Sequence, residues 1–175
     1  KIGIYRQGEK EILHFNIIRG DIPNKSIKAS YMINEKFGYI NVEKFSETTY
    51  PEMLIALAQL HQNDCQGLII DLRGNTGGYM GTAIQMVNEF LQKGRLIVYT
   101  EGRNAPRENY TSNGTGSCQQ MPLVVLVDEG SASSSEIFAG AVQDNDRGTI
   151  VGRRSYGKGL VQEPIDFSDG SSIRL

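Results

Sequence analysis

An excess of positive charge is missing from this chain of 175 residues, in which 18 lysines and arginines face 20 aspartates and glutamates for a formal charge of −2. With no basic field to collect phosphates, nucleic acid is not an expected partner. Long apolar runs are missing as well. None approaches the roughly 20 residues that a spanning helix needs, so no membrane-spanning segment is expected. No charged-then-apolar leader precedes Lys1, and the lack of an initiating methionine suits a piece excised from a longer protein. Cysteine is scarce: Cys65 and Cys118 stand 53 positions apart with no Cys-x-x-Cys, which leaves a zinc site unsupported and the pair joined by one disulfide or by none. Histidine is scarcer in useful places, for His14 and His61 are the only two.

What is present describes one folded domain. Apolar residues at 39% and charged residues at 22% lie in the ordinary globular range, enough for a real core at this length. Lys1–Arg6 and Glu11–Ile18 read as two strands around the turn Gln7-Gly8-Glu9-Lys10, and Gly20-Asp21-Ile22-Pro23-Asn24 breaks the pattern, so a boundary is placed there. Residues 29–33 and 37–42 read as short strands. Thr49-Tyr50-Pro51-Glu52 has capping-box spacing and predicts a helix to about Asn63, with Met53, Ala56, Leu57 and Leu60 on its inner face.

Two continuous apolar runs, residues 67–72 and 123–127, read as strands covered on both sides, each ending in a glycine-bearing turn and a helix. The first helix carries Ala83, Met86, Val87, Phe90 and Leu91 as one stripe and stops at Gly94 before a strand over 96–99. The second spans 132–143 with Ile137 and Ala141 inward, and residues 148–152 close another β-α-β unit. Residues 101–120, polar and rich in Gly, Asn and Ser, read as an irregular exposed loop. Alternating strands and helices predict an α/β domain with a mainly parallel sheet, whose sites lie beyond the carboxyl ends of its strands. Both glycine-bearing turns are at such ends.

The chemistry sits in those turns. Gly130-Ser131-Ala132-Ser133-Ser134-Ser135-Glu136 places a hydroxyl cluster at a helix start, where free N–H groups and the helix dipole favour an oxyanion, although plain N-capping is the commoner use of such serines. Neither histidine lies near the strand ends, which disfavours a histidine triad. Lys158 is the alternative base. A lysine serves only if its charged form is disfavoured by its surroundings, and Gly157 and Gly159 leave room for backbone to enclose it. In an extended segment Lys158 and Gln162 project to one face, so Gln162 can hold the lysine by a hydrogen bond. Gly77 and Gly78 can turn a bare N–H to a substrate carbonyl, and Asp71 and Arg73 can pair to fix their turn. Asp144 follows the serine helix. Gly152 to Lys158 also fits Gly-x-x-x-x-Gly-Lys, yet Gly159 stands where a phosphate loop needs Ser or Thr, and no helix is expected after it. Asn24, Asn109 and Asn113 open glycosylation tripeptides that matter only in a eukaryotic secretory setting.

Three ordered motifs, residues 71–78 (Asp-Leu-Arg-Gly-Asn-Thr-Gly-Gly), 131–137 and 156–162 (Tyr-Gly-Lys-Gly-Leu-Val-Gln), resemble the carboxy-terminal processing, or tail-specific, proteases of peptidase family S41. The resemblance covers most of the chain from about Ile22. It implies a crotonase-like or ClpP-like β-β-α core, with Ser133 as nucleophile, Lys158 as base and Gln162 orienting the lysine. Gly78 and the backbone of Ser134 become the oxyanion donors, and Asp144 a supporting residue. Ser134 stands where the family commonly has alanine.

The same resemblance implies a protein or peptide substrate with an exposed, apolar, unstructured carboxyl tail, an extracytoplasmic location (periplasmic or secreted) and a PDZ domain in the full-length protein. Residues 1–20 resemble the last strands of such a domain plus a linker, and 21–175 a core lacking the family's carboxy-terminal region. No cofactor or metal is implied. One rival is a catalytically idle domain of this fold that binds an apolar ligand or peptide, like the similar domains of interphotoreceptor retinoid-binding protein.

Overall fold

A computed structural model describes residues 1–18, 20, 24–162 and 164–174 of the chain. It opens with the expected hairpin, shorter than the apolar pattern: β1 (Ile2–Ile4) pairs antiparallel with β2 (Leu13–Phe15), Ile2 facing Phe15. The boundary placed after residue 20 falls on Asp21, Ile22 and Pro23, outside the described residues.

β3 (Ile27–Met32) and β4 (Phe37–Val42) form an antiparallel pair, followed by α1 (Thr49–Gln62) and β5 (Gly67–Asp71). Met53, Ala56, Leu57 and Leu60 are buried along α1, as their spacing predicts. The capping box is not made. Thr48 occupies the cap position without a side-chain cap, and Thr49 Oγ1 instead accepts from Ser46 N at 2.8 Å and donates to Lys44 O. Glu52 Oε2 accepts from Ser26 N and Ile27 N at 2.8 and 2.9 Å. The carboxylate expected to cap its own helix ties the start of β3 to α1, because two fixed backbone donors outcompete one.

α2 (Met80–Asn88) buries Ala83, Met86 and Val87, and Phe90 and Leu91 continue its stripe just past the helix end. β6 (Leu96–Gly102) then pairs antiparallel with β7 (Ala105–Thr111), outside the main sheet. The expected loop over 101–120 is therefore strand in its first half. Its side chains are polar because they are almost all exposed, and Arg107 lies 3.8 Å above the Tyr99 ring on the neighbouring strand. The second half is irregular but anchored: Ser117 N and Oγ donate to Glu89 Oε2 at 3.0 Å, and Arg147 Nη2 donates to Cys118 O and Met121 O.

β8 (Leu123–Val127), α3 (Ser134–Asp144) and β9 (Thr149–Gly152) complete the core, and β10 (Pro164–Asp166) and β11 (Ser172–Arg174) form a last hairpin. The main sheet runs β3-β4-β5-β8-β9, and its last four strands are parallel. Each crossover steps the same way across the sheet. Right-handed connections then put α1, α2 and α3 on one face, over Ile40, Val42, Leu68, Ile70, Leu123 and Val125. Phe138, Ala141 and Val142 form the inner face of α3, with the expected Ile137 partly buried against the same core, and Phe138 meets Phe90 edge-on at 5.8 Å. The opposite sheet face carries no helix among the described residues, and Ile69, Val124 and Leu126 are only half-buried on it. β5 and β8 are thus covered on one side rather than on two. Cys65 and Cys118 are both buried free thiols of the helical core, so the disulfide alternative does not hold.

Candidate active site

β5 and β8 are adjacent and parallel, so the turns that leave their carboxyl ends meet. Backbone and hydroxyl bonds stitch them together. Ser131 Oγ donates to Leu72 O at 2.8 Å, Ser135 Oγ to Asn75 O at 2.8 Å and Ser134 Oγ to Gly78 O at 2.9 Å, while Ala132 N donates to Asn75 O at 3.0 Å. Gly74 N reaches Asp128 Oδ1 at 2.8 Å. Three of the four serines are therefore structural. Ser133 is the one whose hydroxyl does not go to the facing turn.

Ser133 is also the strained one. It caps α3 with φ 55° and ψ −113°, a conformation that costs about 1–3 kcal/mol for a residue with a side chain. Such a sharp strand-to-helix turn lifts a side chain out of the sheet end, and Ser133 is half-buried while Ser134 and Ser135 are buried. Gly77 lies against it: a Cβ added there would meet Ser133 Cβ and Ala132 O, both at 2.8 Å. Gly78 (φ 146°) is pressed on Phe45, with which it forms a parallel bridge through Phe45 N to Gly77 O (3.0 Å) and Tyr79 N to Phe45 O (2.8 Å). Gly78 N and Ser134 N have no acceptor among the described residues, and their residues are joined by the Ser134 hydroxyl. Two free N–H groups beside one strained serine can hold an oxyanion.

Asn75, marked in the sequence only as a member of the 71–78 motif, holds the first turn. It is fully buried, donates from Nδ2 to Val42 O and accepts from Gly77 N at Oδ1, both at 2.8 Å. The pairing of Asp71 with Arg73 is as expected. Arg73 Nε and Nη2 meet the buried Asp71 carboxylate at 3.0 and 2.7 Å, and Tyr39 OH donates to it at 2.6 Å. Burial raises the Asp71 carboxyl, but the bonds from Arg73 and Tyr39 outweigh it and hold it below the ordinary range. Burial, then the bond to Asp71, pushes the Tyr39 phenol up to about 12.

Glu136, which the sequence shows only as part of the serine motif, accepts from four different residues. Its Oε2 accepts from Ser133 N and from Lys158 N, each at 2.9 Å, and its Oε1 from Ser155 Oγ at 2.7 Å and Gly157 N at 2.6 Å. Burial would raise this carboxyl. The donors, led by Ser155, more than offset that and hold it below the ordinary range. A glutamate three residues after a capping serine is the signal that could have marked it. A cavity of about 310 Å³ runs along α3 beside it, between Ala139 and Ile150.

Lys158 is half-buried, and its Nζ donates to Gln162 Oε1 at 3.3 Å, the bond foreseen from their spacing. No hydrogen bond joins Lys158 Nζ to Ser133 Oγ. Gly157 and Gly159 do not enclose the lysine, since a Cβ on either would meet nothing; Gly157 (φ 89°) instead turns two successive N–H groups onto Glu136. Asp144 is not brought to the site. It is exposed at the far end of α3, whose 11 residues span about 16 Å from Ser133. His14 and His61 are exposed, on β2 and the last turn of α1. Among the described residues no helix follows Lys158, so the phosphate-loop match lacks its helix.

The profile of peptidase family S41 matches residues 36–175. The chain is 44% identical over 141 residues to a carboxyl-terminal-processing protease of Synechocystis sp., covering 81% of this chain and 33% of that protein. It is 37% identical over 174 residues to the carboxy-terminal processing protease CtpB of Bacillus subtilis, covering 98% and 36%. It thus spans about a third of the length of these curated relatives. Among solved structures, the photosystem II D1 C-terminal processing protease superposes with a TM-score of 0.72 at 34% identity, over 79% of this chain and 36% of the other. A putative S41 protease from Bacteroides fragilis shares the fold at a TM-score of 0.70 and 16% identity, over 89% of this chain and 45% of that one.

Proposed function

The chain belongs to peptidase family S41, and from that membership we propose that it carries the catalytic core of a serine endopeptidase that processes proteins at their carboxyl-terminal tails. The observation that carries the reading is the junction of the two turns: a strained Ser133, two free N–H groups at Gly78 and Ser134, and the Lys158 backbone on the same carboxylate oxygen as that of Ser133. In the proposed reaction Ser133 Oγ attacks the peptide carbonyl and its proton passes to the amine nitrogen of Lys158. Gly78 N–H and Ser134 N–H hold the oxyanion. Collapse breaks the C–N bond, the leaving amine takes the proton from Lys158, and water then releases the acyl group from Ser133. Gln162 steers the lysine through its 3.3 Å bond. Reaching Ser133 requires Lys158 to rotate about its own flexible stem, a tightening that unliganded sites commonly undergo.

The substrates proposed are proteins with apolar, unstructured carboxyl tails met outside the cytoplasm. The β1–β2 hairpin is assigned to the end of a PDZ domain that would capture such a tail by strand addition. Among the described residues no helix is long and apolar enough to cross a membrane.

The missing bond between Lys158 and Ser133 favours one rival, an idle domain of this fold that binds an apolar ligand or peptide. Labelling of the full-length protein with a fluorophosphonate separates the two. The protease reading expects modification at Ser133, lost in Ser133→Ala and in Lys158→Ala. Wild-type protein that stays unlabelled, or label that persists in Ser133→Ala, would rule it out.

A further inference from the structure

Resting on that reading, we propose that Glu136 is a positioning residue that sets nucleophile and base against each other, one carboxylate oxygen serving both. Residues 154–162 have no regular secondary structure, so their place over the turn depends on few attachments. Tyr156 N donates to Ser131 O at 3.0 Å, and the remaining bonds from residues 155–158 to the serine turn and α3 converge on Glu136. Among the described residues, 159–162 are held by one bond, in which Gln162 Oε1 accepts from Lys158 Nζ. The stem on which Lys158 pivots is thus fixed at its own backbone nitrogen.

The two oxygens divide the labour. Oε2 takes Ser133 N and Lys158 N, so any shift of the carboxylate moves the strained turn and the lysine together. Oε1 takes Gly157 N and the Ser155 hydroxyl and keeps the carboxylate from rotating. All four partners donate, and three are N–H groups that cannot reverse their role. A glutamine of the same shape has only one acceptor oxygen. Whichever way it is turned, its NH₂ faces at least one backbone N–H, and one half of the clamp opens. Gly157 belongs to the same device, because its φ of 89° is what aims its own N–H and that of Lys158 at one anion.

The test compares the full-length protein with its Glu136→Gln, Ser155→Ala and Ser133→Ala variants. It reads the concentration dependence of fluorophosphonate labelling and the melting curve by circular dichroism. Misplacing a reacting group by about 1 Å costs about 100-fold in rate. Glu136→Gln is therefore expected to lower the maximal labelling rate about 100-fold while the half-saturating concentration stays within about twofold. Ser155→Ala, which removes one of four bonds, is expected to lose about fivefold. A Glu136→Gln protein that is folded and labels within about threefold of wild type overturns the positioning role and leaves Ser133 as nucleophile. So does a loss confined to the half-saturating concentration. Should Glu136→Gln not fold, Ser155→Ala decides, and an unchanged rate overturns the proposal. Label that survives in Ser133→Ala, or wild-type protein that never labels, overturns this inference and the protease reading together.

Discussion

Replacing Gly78 by alanine perturbs the site at the point where its backbone has least room. The new Cβ would fall inside the Phe45 carbonyl oxygen and 2.7 Å from the Phe45 carbonyl carbon, and at φ 146° no side chain sits without strain. Phe45 cannot yield by rotating a side chain, because the atoms in the way are backbone. The bridge must open, losing Phe45 N to Gly77 O and Tyr79 N to Phe45 O. Two net hydrogen bonds at about 1 kcal/mol each and a strained dihedral of about 1–3 kcal/mol sum to about 3–5 kcal/mol. For a domain of this size that lowers the melting temperature by about 6–20 °C. Two controls fix the interpretation, since a Cβ at Gly74 or Gly81 would meet nothing within 4 Å. Gly74→Ala, at φ 70°, is expected to cost only about 1–2 kcal/mol. Gly81→Ala, exposed in α2, is expected to stabilise by about 0.5–1 kcal/mol. Circular dichroism melting of the three variants reads the order directly. A Gly78→Ala protein that melts no lower than Gly74→Ala would refute the reasoning.

Acid should weaken the fold through Asp71 and Glu136, whose carboxyls are held below the ordinary range in the folded protein. Their stabilisation is complete above the unfolded value near 4 and is lost as pH falls through the lower folded values, so melting temperature should be flat from about pH 7 to 5 and fall below about pH 4. Glu136→Gln should fall less steeply there, and an acid slope identical to wild type would count against the clamp. Asn75→Leu should cost about 3 kcal/mol in urea unfolding at unchanged m, because it leaves the buried Gly77 N–H and Val42 C=O without partners. A loss under about 1 kcal/mol would mean that the turn finds other partners.

Much of the fold was legible because burial leaves a period in the sequence. The inner face of α1 and the runs of β5 and β8 lie at nearly the positions their patterns predict, since a helix packed on one side must repeat its apolar residues, and in β5 and β8 even the half-buried outer positions Ile69, Val124 and Leu126 are apolar. β7 was not legible, because a hairpin exposed on both faces has no buried side to leave a pattern. The Thr49–Glu52 box misled for another reason. Local spacing says which bond is within reach, but Glu52 was claimed by β3, a strand more than 20 residues earlier in the chain.

The sequence by itself determined that a glycine-rich turn and a serine-bearing turn each end an apolar strand and lead into a helix, and that Lys158 and Gln162 share a side, because these relations are local and follow from strand and helix periods. The tertiary structure alone decided which serines stitch the turns and which one stands strained and half-buried, that Asp144 lies a helix length away, and that Glu136 ties Ser133 to Lys158. Those facts rest on hydrogen bonds between segments up to 60 residues apart. Such contacts depend on where three-dimensional packing brings donors and acceptors, and a linear pattern carries no term for that.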